Sequence, residues 1–121
     1  MTELNKVKNA IQVLDGLSRS ETDFNEADWS IDYKQDLDKE LGNELANLKI
    51  ELELLMSAIQ RKDFVTAKCA LVMIKVFSLN LSNFFLNIFE DIEKVGWSEQ
   101  SHLPDIPENY QIPDHYNYRK K

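Results

Sequence analysis

The chain has 121 residues and a mass of 14.1 kDa, which is the size of one domain with a single core. Its 21 acidic residues outnumber 14 basic ones, and the resulting net charge of −7 argues against nucleic-acid or anionic-membrane binding, which needs clustered Lys and Arg. One cysteine, Cys69, cannot form an internal disulfide, and the first six residues lack an apolar signal run. We therefore expect a cytoplasmic protein.

The first periodic pattern lies in residues 4–17, where apolar side chains recur every three or four residues and predict an amphipathic helix. Residues 18–28 are rich in Ser, Thr, Asn and Asp, which favour turns and helix caps, so this stretch is predicted to be a linker. Asp28 or Ser30 is the expected N-cap of the next helix. The apolar positions of the first pattern are Leu4, Val7, Ile11 and Leu14.

Two longer patterns follow and predict a helical hairpin. The second pattern begins at Trp29, and from Leu41 to Ile59 its apolar residues alternate at spacings of four and three, as in a helix of an antiparallel bundle. Gly42 is a candidate kink within it. The third runs from Phe64 to Val95 after a short connection, with an acidic residue before it as a predicted cap and a glycine after it as a predicted stop. These two flanking residues are Asp63 and Gly96.

The last quarter of the chain changes character, since all three prolines lie there and disfavour a continuing helix. Its large apolar and aromatic side chains are costly to leave in water, so we expect the segment to pack back on the helices. The predicted fold is thus all-α: a small antiparallel bundle of three to four helices, two of them forming a hairpin. Residues 1–96 form the bundle, and residues 97–121 form an extended Pro/aromatic tail of the same domain.

The third helix is predicted to have a second apolar strip opposite its main face. A helix that is apolar on two sides has to be covered on both, either by its own chain or by another one. We expect the first helix to cover this strip, and a homodimer contact is the alternative. A membrane span is disfavoured because asparagines interrupt the apolar run. The strip comprises Val65, Val72, Val76, Leu79 and Leu86.

No residue pattern identifies a catalytic or cofactor site. Phosphate-binding glycine loops and zinc-hydrolase histidine spacing are both missing, and the histidines, His102 and His115, lie in the tail. A calcium loop beginning at Asp36 fails because Leu41 stands where the turn glycine is required. We therefore expect neither an enzyme nor a metal or cofactor site.

The net charge is concentrated in one segment, since residues 20–44 contain nine acidic and two basic side chains and so carry −7. If residues 28–36 are helical, a row of carboxylates spaced four apart stands beside two aromatic rings. Carboxylates steer a basic partner and aromatic rings anchor it, so this row is the first candidate protein-binding site, with three tail tyrosines as second candidates. The residues are Asp28, Trp29, Asp32, Tyr33 and Asp36, with Tyr110, Tyr116 and Tyr118.

Two functional hypotheses follow. The first is an acidic protein-binding module, of the immunity-protein or antitoxin kind, that neutralises a basic protein such as a toxin or nuclease; it rests on composition alone. The second is a homodimeric structural or accessory protein, such as a scaffold, secretion chaperone or assembly subunit, that uses the second apolar strip. Neither hypothesis invokes nucleic acid or a membrane as partner.

Overall fold

The all-α class is confirmed by a computed structural model that describes residues 3–17, 25–99, 101 and 103–118. Within these residues the chain forms three α-helices and no strand. A single 3-10 turn precedes α2, and another lies in the C-terminal segment. The α-helices are α1 (Asn5–Gly16), α2 (Leu37–Gln60) and α3 (Phe64–Trp97), and the 3-10 turns are Glu26–Asp28 and Asp114–Tyr116.

The second helix begins later than the pattern from Trp29 predicts. Residues 29–36 form turns and extended backbone, and Asp36, rather than Asp28 or Ser30, caps α2 by accepting a hydrogen bond from the Lys39 N–H at 3.1 Å. Once started, α2 runs without a break through Gly42 to Gln60. The early apolar residues of the pattern therefore belong to a loop, although their spacing is helical.

A three-residue turn joins α2 to α3, and both helix ends are satisfied there. The Asp63 N–H donates to the Ala58 carbonyl at 2.8 Å and the Lys62 N–H to the Ile59 carbonyl at 3.0 Å, with Lys62 in the left-handed region. This pair of bonds is a Schellman motif, which pairs carbonyls that would otherwise be left unbonded at the end of α2. The predicted cap of α3 is confirmed, since the Asp63 side chain accepts from the Thr66 N–H at 3.1 Å and from its hydroxyl at 2.7 Å.

The core lies at one end of the hairpin. α2 and α3 contact each other along most of α2, whereas α1 reaches only the C-terminal half of α3. At about 1.5 Å per residue, α1 is about 18 Å long and α3 about 51 Å. The other half of the hairpin is thus a pair of helices with no third helix on it. The buried residues of this core cluster are Ile11, Ile31, Leu37, Leu41, Phe84 and Val95, and nearer the turn Ala58, Ala67 and Ala70 are also buried.

The C-terminal segment packs less closely than expected. Its first part lies against the end of α3, where the Ser101 hydroxyl donates to the Val95 carbonyl at 2.8 Å and Leu103 is half-buried. From residue 104 to residue 118 every side chain is exposed. The tail therefore does not cover the hairpin along its length.

We expect the variant Asp63→Ala to unfold at lower urea concentration than the wild-type chain at pH 7, because the start of α3 loses its cap. The bonds from the Thr66 hydroxyl and N–H lower the pKa of the Asp63 carboxyl. A carboxyl whose pKa is lower in the folded state stabilises the fold above its unfolded pKa and loses that effect as the pH falls through the folded one. Urea titrations at pH 7 and pH 3 should show the difference between the two proteins shrinking in acid, and an equal difference at both would contradict this role.

Candidate functional site

Part of the predicted acidic site is hydrogen-bonded to a buried carboxylate of α3. Asp91 is 1% exposed and accepts hydrogen bonds from the Ser30 N–H at 2.7 Å, the Ile31 N–H at 2.8 Å and the Tyr33 hydroxyl at 3.0 Å. Burial, together with this bond and the Asp91 charge, raises the pKa of Tyr33 well above its ordinary value of 10.0. Tyr33 thus fastens the loop to α3.

Trp29 and Asp36, two further residues of the predicted site, also have partners within the chain. The Lys94 ammonium lies 4.6 Å from the centre of the Trp29 ring and donates to the Asp28 carbonyl at 2.6 Å. The Asp36 carboxylate accepts from the Asn5 amide at 2.7 Å and from the start of α2, and these bonds lower its pKa. The contact of Trp29 with Lys94 attaches the loop to α3, and the bond between Asp36 and Asn5 attaches the start of α2 to α1.

The starts of α1 and α2 cap each other. Asp38 accepts from the Leu4 N–H at 2.7 Å and from the Asn5 N–H at 3.3 Å, and the side-chain amide oxygen Oδ1 of Asn5 accepts from the Leu37 N–H at 2.7 Å. Because free N–H groups at a helix start favour a negative partner, Asp38 replaces the side-chain cap that Leu4 cannot provide. Asp38, like Asp36, therefore has structural partners within the chain.

What remains of the predicted surface is small. Residues 29–36 are not helical, so the expected helical row of Asp28, Asp32 and Asp36 is wrong as a geometry, although all three side chains are exposed on one loop. The three candidate tyrosines lie in the exposed C-terminal segment, where the rings of Tyr116 and His115 stack at 4.3 Å. Residues 18–24 and His102 lie outside the described part of the chain. Whether these groups bind a partner stays a prediction.

The dominant exposed surface is apolar instead, and it lies on the hairpin. The expected cover of the second apolar strip by α1 is wrong, because all five of its residues are exposed. In α2 the alternate members of the predicted pattern are exposed as well, while Leu41 is buried and Leu48 and Leu55 are half-buried. These exposed members are Leu45, Leu52 and Ile59.

By length and composition alone, α3 is a helix that could cross a membrane. Its most apolar 18-residue window has a mean hydropathy of 1.7, and 11% of that window is buried within the chain. In a helical bundle formed by one chain alone, a core helix would be mostly buried by the other helices of that chain. Most of the apolar surface of α3 is therefore not covered by the described part of this chain.

Concave and metal-binding features are few in the described residues. An open groove of about 610 Å³ lies between α1, the end of α3 and residues 103–106, with Leu14, Trp97 and Ile106 among its lining side chains. Within the described ranges no three His, Cys, Asp or Glu side chains come close enough to hold a metal ion. The groove is apolar, so it adds to the exposed surface near the end of α3.

Sequence reasoning missed Asp91, although a signal for it was present. In α3 the positions 84, 88, 91 and 95 follow the four-three spacing of the core face, and Asp91 is the only charged member of that series. A carboxylate on a core face has to be paired with donors, which here come from the loop. The same reasoning would have predicted donors opposite Asp91, but not that the loop supplies them.

Comparisons with known proteins add no relative to these observations. The sequence matches no family model, no curated protein and no solved structure.

We expect Asp91→Ala to lower the free energy of unfolding by roughly 2 to 4 kcal/mol, because it leaves a buried N–H group, a part-buried N–H group and a hydroxyl without their acceptor. Asp28→Asn, a change at an exposed carboxylate of the adjoining loop, should change it by less than about 0.5 kcal/mol. Urea unfolding followed by circular dichroism measures both. Equal effects of the two substitutions would show that Asp91 does not hold the loop.

A second prediction concerns alkaline pH. The raised pKa of Tyr33 means that the folded chain keeps the phenol protonated where the unfolded chain loses the proton, so stability should fall as the pH rises above about 10. Tyr33→Phe should be less stable than the wild type at pH 7 by about 1 kcal/mol, through the lost hydrogen bond to Asp91. Its loss of stability between pH 9 and about 11 should be smaller, as thermal melts would show, and parallel curves would contradict the assignment.

Proposed function

We propose that the chain is a non-catalytic protein-interaction module, a structural or accessory protein that binds another protein through the uncovered faces of its α2–α3 hairpin. The observation that carries the proposal is that α3, the most apolar helix of the chain, is mostly exposed along its length. Monomeric soluble proteins rarely expose such a continuous apolar area unless it is an interaction surface.

A protein surface fits this hairpin better than a lipid surface does. α3, with 34 residues, is paired with most of α2, which has 24, so inserting α3 into a bilayer would carry α2 with it. α2 contains five carboxylates and two lysines. A charged side chain at the centre of a bilayer costs about 2.5 to 3.5 kcal/mol on insertion scales and about 10 to 17 kcal/mol in simulations of an arginine on an isolated helix. Another helical protein can cover the apolar side chains and leave these charges in water.

The acidic inhibitor is the second candidate, and its supporting observation is narrower. Asp28, Asp32 and Asp36 are exposed on one loop, where carboxylates could steer a basic partner. Trp29 and Tyr33, the proposed anchors, are half-buried and in contact with α3, so they offer less area than a free aromatic side chain would. The hairpin therefore supports binding more strongly than this loop does.

Photo-crosslinking tests the proposed function. A photoreactive phenylalanine derivative in place of Phe85, an exposed residue of α3, should form adducts with protein when the full chain is irradiated in its native cells. The same group in place of Asp32, on the exposed loop, is the matched control and should give fewer protein adducts. Adducts only with lipid at position 85, or none, would overturn the proposal in favour of a membrane surface or a bare helix.

A further inference from the structure

A side of α3 that faces away from α2 has a regular pattern of its own, which we call the lateral seam. Its last two residues, Ile92 and Gly96, border the groove between α3, α1 and residues 103–106. Its residues recur at alternating spacings of four and three, the repeat of a helix that packs against another helix. Nine of its ten residues are exposed, and the tenth, Gly96, is half-buried. The lateral seam comprises Phe64, Lys68, Leu71, Lys75, Ser78, Ser82, Phe85, Phe89, Ile92 and Gly96.

The lateral seam is symmetric about residue 80. Its two serines stand on either side of that point, and small side chains let two helices approach closely where they cross. If a second α3 lies antiparallel with the same midpoint, Leu71 faces Phe89 of the copy and Lys75 faces the Phe85 ring of the copy. The bulky Phe64 meets Gly96 in the same way. The seam is therefore complementary in size to itself.

The charged residues at the two ends of α3 also favour an antiparallel arrangement of two copies. The first half of α3, residues 64–81, carries two lysines and no acid, whereas residues 90–94 carry three acids and one lysine. In the antiparallel arrangement Glu93 stands within one residue, about 1.5 Å of rise, of Lys68 in the copy, on the same edge of the seam. Neither side chain has a salt bridge within the described part of the chain. A parallel arrangement would instead place like charges together.

The exposed area is large enough for a dimer. The chain has 9752 Å² of accessible surface, whereas a compact monomer of its mass has about 6,700 Å², an excess of roughly 3,000 Å² to which the C-terminal segment also contributes. A standard stable interface needs about 800 Å² from each partner. α2 adds to this contact area through its exposed residues Leu45, Leu52 and Ile59. These residues are rotated around α2 from the face that contacts α3, in the same direction and by the same amount as the lateral seam is rotated around α3 from the face that contacts α2. In an antiparallel hairpin both strips lie on the same side.

We propose that this surface binds a second copy of the chain, forming a two-fold symmetric four-helix bundle in which the two α3 helices cross antiparallel at Ser78 and Ser82. This inference rests on the proposed function, of which it names the partner. The symmetry makes the interface isologous, so each contact occurs twice. The second apolar strip of Val65 and Val76 stays outside the bundle, because it lies on the back of α3 and belongs to one helix only.

Two adjacent substitutions test which side of α3 is used. Leu71 lies on the lateral seam and Val72 on the second apolar strip, and both are 48% exposed. In sedimentation equilibrium the wild-type chain at about 10 μM should have twice the 14.1 kDa monomer mass. Leu71→Asp should give a folded monomer by circular dichroism, while Val72→Asp should stay dimeric. Loss of the dimer through Val72→Asp alone would overturn the proposal.

A charge swap tests the antiparallel register. Lys68→Glu and Glu93→Lys should each raise the dimer dissociation constant about tenfold, since each creates two like-charge contacts, and the double variant should return it to near the wild-type value. No recovery in the double variant would overturn the pairing. A monomeric wild-type chain would overturn the dimer, and crosslinks from position 85 to a different protein would then still support the proposed function. Crosslinks to lipid alone would overturn both.

Discussion

The constraint on which this structure depends is a mismatch of length between an apolar helix and the helices that cover it. α3 has 34 residues, α2 has 24 and α1 has 12, so the three can enclose a core only near the C-terminal end of α3. The core residues of α1 and of the loop before α2 all gather there. The rest of the α2–α3 hairpin, from this core to the turn between the helices, is a two-helix arm whose outer faces are exposed to solvent. Its exposed apolar residues make the arm the part of the molecule best suited to binding.

The acidic residues have a different role from the one that their number suggests. Asp36 and Asp38 accept hydrogen bonds from the starts of α1 and α2, Asp63 caps α3, and Asp91 binds the loop from within the core. In each case a carboxylate accepts from backbone N–H groups that have no partner within a helix or strand. The negative charge therefore serves first to fix where the helices begin and how the loop is held, and only the exposed remainder is free for a partner.

The predictability of these features depends on whether their cause is local. The Asp63 cap and the lengths of α1 and α3 follow from neighbouring residues, and the sequence predicted them closely. Trp29 and Tyr33 have helical spacing but lie in a loop, because Asp91, about 60 positions away, binds the loop backbone, and this distant contact outweighs local periodicity. The exposed half of the α2 pattern was equally hard to foresee, since spacing alone does not say which of two apolar sides a neighbour covers.

The short turn at Lys62 has a consequence for how the chain folds. Because α2 and α3 are joined by three residues, their contacts next to the turn form between near neighbours, and such local contacts favour rapid pairing that can then extend along the hairpin. α1 docks through contacts that span more than 30 positions, such as Leu4 with Asp38, and so closes a longer loop. The arm can therefore form before the core is closed. Its apolar faces then meet other nascent chains early, and local chain concentration during synthesis would govern whether the arms pair or aggregate.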